Sequence, residues 1–178
     1  QFFRVGGASA TIAKSLSAYD KDFSDAIYGV EDDKRYVTEN RLKKMLAQET
    51  DLIEKRITRG KHSSKMFFCY ANTVATIDFA KKFKGHGWVG VRFQIDPKDD
   101  YNEIILHVRF KENIARQQQE TLGLLGTNLI YSAFYKYHTP KKIIQYLYDN
   151  LEEGQLEIDT ISFSGPVFKN VDNRLMNL

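Results

Sequence analysis

The segment GWVGVRFQIDPKDDYNEIILHVRFK, residues 87–111, decides the fold of this chain. Apolar residues hold every second position on both sides of its turn: Val89, Val91, Phe93 and Ile95 before it, and Ile104, Leu106, Val108 and Phe110 after it. Successive side chains of a strand point to opposite faces of a sheet. The segment therefore predicts a long antiparallel β-hairpin with one apolar face that packs on the core.

The other face of the hairpin is polar and presents Arg92, Gln94, His107 and Arg109. A turn near residues 97–100 matches apolar positions with apolar ones, and it places Arg92 opposite His107 and Arg109 opposite Gly90. Gly90 lacks a side chain, so this register would leave room for a ligand on the sheet.

Two arginines and a histidine this close would repel one another unless an anion or carboxylates lie between them. Arg offers a planar fork to phosphate or carboxylate, and His exchanges protons near neutral pH. The polar face thus predicts an anion-binding pocket made by Arg92, His107 and Arg109. The alternative is an ordinary solvated sheet face, or arginines that pair with acids of a neighbouring element.

The rest of the pattern predicts helices and strands in irregular order. Thr38 is a suitable N-cap for an amphipathic helix over residues 39–58, and Gly60 ends its periodicity. A β-rich run at 65–76, a long helix at 113–137, a helix opened by Pro140 and a strand at 155–164 are predicted further along the chain. This order predicts one α+β domain over residues 1–178, in which an antiparallel sheet containing the 87–111 hairpin packs against several amphipathic helices.

Composition narrows the classes of function. The chain has 26 Lys and Arg against 23 Asp and Glu, interleaved along the sequence, which does not favour a dedicated nucleic-acid binder. The single cysteine, Cys69, excludes an internal disulfide and a Cys-based zinc site, and the four histidines lack metal-motif spacing, so no metal is predicted. No apolar run is long enough to span a membrane, and no secretion signal is visible; we therefore expect a cytoplasmic protein.

Two further basic residues join the anion-site prediction. The segment GGASATIAKS at residues 6–15 departs from the Walker pattern, but small residues at a helix N-terminus suit an anion, which makes Lys14 a candidate. Arg174 lies in a run that ends at Leu178 without a terminating Gly or Pro. This end, and the start at Gln1, lead us to expect the N-terminal fragment of a longer protein.

Several short motifs together carry a resemblance: FRVGG at 3–7, TIAKS at 11–15, SAYD at 17–20, SDAIYG at 24–29, HGWVG at 86–90 and VDNRLM at 171–176. The chain resembles the N-terminal part of a bacterial family whose members carry the labels nicotinate-nucleotide adenylyltransferase and TonB-dependent receptor. The first activity needs a (His/Thr)-x-Gly-His motif, and the second needs a signal peptide and a barrel. The motifs here support neither label, so no functional residue is transferred.

Two functions fit these observations. One is a cytosolic enzyme domain that binds a phosphorylated small molecule or nucleotide through Arg92, His107 and Arg109, with Lys14 or Arg174 adding charge. The other is a non-catalytic domain that forms a homo-oligomer, since 12 Phe, 10 Tyr and a helix with Gly123 and Gly126 suit an interface. No motif assigns a reaction, a cofactor or a catalytic residue.

Overall fold

The structure is a computed structural model that describes residues 3, 6–78, 80 and 83–171. Its helices are α1 (Ala8–Thr11), α2 (Lys21–Tyr28), α3 (Glu39–Arg56), α4 (Ala115–Tyr135) and α5 (Pro140–Leu147). Its strands are β1 (Phe68–Ala75), β2 (His86–Phe93), β3 (Asn102–Phe110) and β4 (Leu156–Ser164), and a short 3-10 helix spans Pro166–Phe168. The strands form one antiparallel sheet in the order β1-β2-β3-β4. The predicted α+β fold is thus confirmed.

The apolar face of the hairpin forms the main core, as its alternation predicts. Val89, Val91 and Phe93 of β2 are fully buried, as are Ile104 and Leu106 of β3. Helices α4 and α5 cover this face with Leu125, Leu129, Ala133, Ile143 and Leu147.

The predicted register of the hairpin is wrong by four residues. Arg92 pairs with Glu103, and His107 pairs with Trp88. The strands separate at Phe93 and Asn102, because the buried Gln94 side chain accepts a hydrogen bond from Phe67 N and donates one to Asp99 O, which fixes a longer connecting loop. A shift by an even number of residues leaves every side chain on its predicted face, so only the partners change.

Helix α3 covers the β1–β2 half of the polar face. Thr38 caps it as predicted, since its hydroxyl oxygen accepts a hydrogen bond from Arg41 N at 3.1 Å. Leu42 and Leu46 pack directly over Gly90, where an added Cβ would lie 3.1 Å from each of their methyl groups. The expectation that Gly90 leaves room for a ligand is therefore wrong, because the helix fills that space.

Helix α2 is held against α3 by a buried arginine. Arg41 is 1% exposed. Its guanidinium donates hydrogen bonds to Gly29 O at 2.5 Å, to Ser24 Oγ at 2.7 Å and to Glu31 Oε1 at 3.1 Å. Tyr28 also faces this guanidinium, 5.4 Å from its ring centre. This network holds α2 and the segment that follows it against α3.

Helix α4 lies close to β1 at Gly126. A Cβ at this position would come within 2.6 Å of the Tyr70 hydroxyl oxygen. The small residue at this position therefore accommodates a side chain of β1. Among the described helices, none combines the length and apolar character needed to cross a membrane.

Candidate functional site

The structure separates the residues that were predicted to form one anion pocket. Arg92 forms an ion pair with Glu103 at 3.2 Å, and its guanidinium carbon lies 5.1 Å from the centre of the Tyr101 ring. His107 and Arg109 lie toward the opposite end of the hairpin, because His86, which pairs with Arg109, is six residues before Arg92 on β2. At about 3.3 Å per strand residue, that places Arg92 about 20 Å from this end. The predicted trio is therefore wrong as a single cluster, and the shifted register is the reason.

The two additional basic residues also do not join the hairpin site. Lys14 binds the carboxylate of Glu49 on α3 at 2.7 Å, and the Tyr28 hydroxyl donates to the same carboxylate at 2.9 Å. Arg174 lies outside the described residues. Their predicted role in anion binding stays a prediction.

His107 and Arg109 instead meet two residues that the prediction did not include, His86 and Asp159. Strand pairing places His86 opposite Arg109. Asp159 arrives through a β-bulge in β4: His107 pairs with Thr160 and Val108 pairs with Ile158, so Asp159 is the extra residue between them. A bulge of this kind redirects a side chain, and here it brings the Asp159 carboxylate between His107 and Arg109.

Asp159 binds both of these neighbours. Its Oδ1 lies 2.7 Å from His107 Nδ1, and its Oδ2 accepts a hydrogen bond from Arg109 Nε at 2.6 Å. Thr160 donates a third hydrogen bond to Oδ1 at 3.2 Å. The carboxylate thereby fixes the plane of the imidazole and one edge of the guanidinium.

A hydrogen-bond chain continues from His107 to His86. His107 Nε2 lies 3.2 Å from His86 Nδ1. A carboxylate can only accept at His107 Nδ1, so the proton of the neutral ring lies there and Nε2 accepts. His86 must then donate from Nδ1, which leaves its own Nε2 as an acceptor. Trp88 packs against the His107 ring at 4.8 Å between centroids and restricts its rotation.

The pKa values of the outer members of this chain shift downward. Partial burial disfavours the charged form of His86, and the nearby His107 and Arg109 add repulsion, so the pKa of His86 falls below its ordinary value of 6.5. Burial alone would raise the pKa of Asp159, but the hydrogen bonds from Arg109 and His107 outweigh it and the pKa is lowered. Near neutral pH the site therefore holds a neutral His86 beside an ionised Asp159.

A cavity of about 190 Å³ opens beside His86 and Arg109. It is lined by Lys84, Gly85, His86, Arg109, Phe110 and Lys111. Lys84 and Lys111 are exposed, and Lys111 forms an ion pair with Glu157. Among the described residues, the cavity therefore combines the positive charges of Lys84, Arg109 and Lys111. The carboxylates of Asp159 and Glu157 lie nearby, paired with Arg109 and Lys111. No group of three or more His, Cys, Asp and Glu side chains within the described part of the chain is arranged to hold a metal ion.

Two sequence signals could have identified the missed residues. His86 has the same parity as Trp88 and Arg92, so extending the hairpin pattern by one residue places it on the polar face. In β4 the apolar alternation runs through Leu156 and Ile158 and then skips to Ile161. Such a break in the period of two indicates a bulge, and it marks Asp159 as the displaced residue.

No family model, no curated protein and no solved structure matches this chain. The cluster of His86, His107, Arg109 and Asp159 can bind an anion, and it can accept or donate a proton at His86 Nε2.

Proposed function

We propose that this chain binds a small molecule that carries a phosphate or carboxylate group, in the cavity beside His86 and Arg109. Arg109 provides the observation that carries the proposal. Asp159 binds only its Nε, and Nη1 and Nη2 have no hydrogen-bond partner among the described residues. Asp159 thus fixes the orientation of the guanidinium through Nε, while Nη1 and Nη2 stay available to the oxygens of an anion.

The surroundings of Arg109 support the same ligand class. Its side chain is 58% exposed, so a ligand from solvent reaches it without displacing the core. Lys84 and Lys111 add positive charge at the rim of the cavity. His86 adds a donor or acceptor whose orientation is set through His107 and Asp159. A ligand with one anionic group and one exchangeable proton matches this set.

The first test is titration calorimetry with inorganic phosphate at neutral pH. We expect Arg109→Ala to weaken phosphate binding at least about tenfold, since a hydrogen bond to a charged group is worth about 1.5–3 kcal/mol. Arg92→Ala and Arg56→Ala are matched controls, because Arg92 is paired with Glu103 at the far end of the hairpin and Arg56 is an exposed residue at the end of α3. Both controls should keep the wild-type affinity. Equal affinity in Arg109→Ala and the wild type would reject the site.

The second test uses sulfate, whose charge stays constant between about pH 5 and about pH 8, the interval in which histidines change charge. Affinity should rise as the pH falls through the lowered pKa of His86, because the protonated ring adds one positive charge to the cavity. The other groups that face this ring are His107, Arg109 and Asp159, with Lys84, Lys111 and Glu157 at the rim. In His86→Asn the rise should be strongly reduced, since the amide can still donate to His107 but does not titrate.

The remaining predictions about the whole protein belong to this proposal as well. They are that the protein is cytoplasmic, that it belongs to the bacterial family that it resembles, and that the chain is the N-terminal domain of a longer enzyme. Self-association is the alternative, and its support is the aromatic content. Five phenylalanines, Phe67, Phe93, Phe110, Phe163 and Phe168, are buried in the fold and account for part of that content without an interface.

A further inference from the structure

A second surface, remote from the cavity, carries exposed and half-buried tyrosines and lysines. It consists of Tyr131, Tyr135 and Lys136 at the end of α4, together with Lys142 and Tyr146 on α5; we call it the tyrosine–lysine surface. We propose that this surface binds single-stranded nucleic acid by stacking its bases on the tyrosines and pairing its phosphates with the lysines.

The three rings of this surface form a continuous aromatic group. Tyr131 and Tyr135 are four residues apart on α4, so they lie on one face of the helix. Their rings stack with centroids 4.8 Å apart and planes 27° apart. Tyr146 of α5 extends the group, with its centroid 5.8 Å from that of Tyr131. In the order Tyr135, Tyr131, Tyr146 the three rings form a stack that spans two helices.

The outer end of this row is open to solvent. Tyr135 is 69% exposed and Tyr131 is 44% exposed. Within the described part of the chain Tyr135 has no ring contact other than the one with Tyr131, and its high exposure leaves most of its remaining ring surface accessible to a base. A flat base could extend the stack there without any rearrangement of the protein.

Charge distinguishes this surface from the rest of the chain. The sequence holds 23 Asp and Glu in 178 residues, yet none occurs from Thr121 to Tyr148, a segment that contains Lys136, Lys141 and Lys142. The Lys136 ammonium group lies 4.4 Å from the centre of the Tyr146 ring and 5.7 Å from that of Tyr131. Lys142 is exposed one helical turn before Tyr146, on the same face of α5. The expectation against nucleic acid rested on the interleaving of Lys and Arg with Asp and Glu along the sequence, and residues 121–148 are an exception to that interleaving.

The combination selects one type of partner. A second copy of the chain would bring the lysines of one surface against those of the other, and such a like-charge contact is unfavourable. An acidic peptide would satisfy the lysines but would not use the exposed Tyr135 ring at the end of the stack. Single-stranded nucleic acid supplies phosphates and unstacked bases together, whereas a duplex keeps its bases inside.

The surface is independent of the proposed anion cavity. Helix α4 begins at Ala115, just after Lys111 of the cavity, and Tyr131 lies sixteen residues further along the helix. At about 1.5 Å per residue the two regions are about 24 Å apart along α4. Either proposal can therefore fail without affecting the other.

The test is fluorescence anisotropy with labelled oligo(U) and oligo(dT) of about 12 nucleotides, a length within the usual range of single-strand sites. We expect Tyr135→Ala to weaken binding about tenfold and Tyr135→Phe to keep most of the affinity, because stacking needs the ring and not the hydroxyl. Lys142→Glu should weaken binding and reduce its dependence on salt. Tyr19→Ala and Lys98→Ala are the matched controls, since Tyr19 is 90% exposed and Lys98 is an exposed lysine of the hairpin loop.

Three results would overturn the proposal. The first is that Tyr135→Ala and the wild type show the same affinity for both oligonucleotides, which includes the case in which neither protein binds. The second is a poly-glutamate peptide that binds as tightly as the oligonucleotides and loses affinity in Lys142→Glu but not in Tyr135→Ala, which would assign the surface to acidic peptides. The third is a concentration-dependent dimer, measured by sedimentation, that Tyr135→Ala abolishes, which would assign the surface to self-association.

Discussion

Asp159 is the residue on which the geometry of the cavity depends, although it does not line the cavity. Its two carboxylate oxygens bind His107 and Arg109, and through His107 they also orient His86. Asp159 also offsets the positive charge of Arg109. It binds only Nε, so Nη1 and Nη2 of that side chain stay available to a ligand. A residue of this kind acts by positioning its neighbours.

His86 gives the residue-scale prediction, which concerns stability as a function of pH. Its pKa is lowered in the folded state from an ordinary value of 6.5, so the unfolded chain binds more protons just below pH 6.5. The stabilising contribution of the neutral ring is therefore complete above that pH and is lost as the pH falls through the lowered pKa. We expect the free energy of unfolding of the wild type, measured by urea titration, to decrease over this interval more than that of His86→Asn.

The control for the pH experiment is His62→Asn, a substitution outside the cluster. It should retain the wild-type decrease in stability. A His86→Asn protein with the same decrease as the wild type would show that His86 does not contribute to it. Asp159 does not change stability over this pH interval. Its pKa is lowered from 3.8, so its contribution to the free energy of unfolding is lost only at more acidic pH.

At the scale of the elements, the close contact of α4 with β1 at Gly126 leads to a packing prediction. Alanine is the better helix former by about 1 kcal/mol. However, a Cβ at residue 126 would lie 2.6 Å from the Tyr70 hydroxyl oxygen and 2.8 Å from Tyr70 Cζ, so the helix or the ring must move. We expect Gly126→Ala to destabilise the protein by about 1–3 kcal/mol in urea unfolding.

A double-mutant cycle with Tyr70→Leu tests the cause of that destabilisation. The smaller side chain removes the clash, so the cost of Gly126→Ala should be lower in the Tyr70→Leu background. Equal costs in both backgrounds, or a Gly126→Ala protein more stable than the wild type, would mean that the Tyr70 ring adapts freely. The cycle cancels the loss of the Tyr70 contacts themselves.

The elements were predictable from local patterns, whereas the partners were not. Alternation fixed the apolar face of β2 and β3, and Thr38 fixed the start of α3, because both signals act over a few residues. The register depends on how Gln94 holds the loop after β2, and that interaction involves Phe67 from a distant part of the chain. The position of Asp159 depends on a bulge that needs β3 as its partner. For this reason the sequence predicted Arg109 and His107 as site residues, while it did not predict His86 and Asp159.

On the scale of the whole molecule, the sheet separates two hydrophobic cores that the described residues form. One lies under α4 and α5 and includes the apolar face of the hairpin. The other is smaller and lies under α3, where Leu42, Leu46, Ala71 and Ile105 meet. An amphipathic stripe shows that a helix packs, but it does not show on which face of the sheet, so the sequence did not reveal this division. The cavity beside His86 and Arg109, the proposed anion site, opens at the end of the sheet where β2 begins and β3 ends.

Arg41 allows this division to be tested. It is buried together with Glu31, and its other guanidinium nitrogen binds Ser24, so its loss leaves Glu31 without one of its two cationic partners. We expect Arg41→Ala to destabilise the protein by about 3–5 kcal/mol, the usual cost of breaking a buried ion pair. Hydrogen exchange should increase most in α2 and in the segment that joins it to α3, while β3 and β4 stay protected because their core lies on the other face.

The phosphate affinity of the same variant tests whether the two cores are independent of each other. The cavity residues lie on β2, β3 and the segments next to them, and none belongs to α2 or α3. At a temperature where Arg41→Ala is still folded, its phosphate affinity should equal that of the wild type, with Arg109→Ala as the control that loses it. If Arg41→Ala instead lost phosphate affinity while remaining folded, the α3 layer and the proposed anion cavity would have to be coupled through the sheet, and the two faces could not be treated as independent.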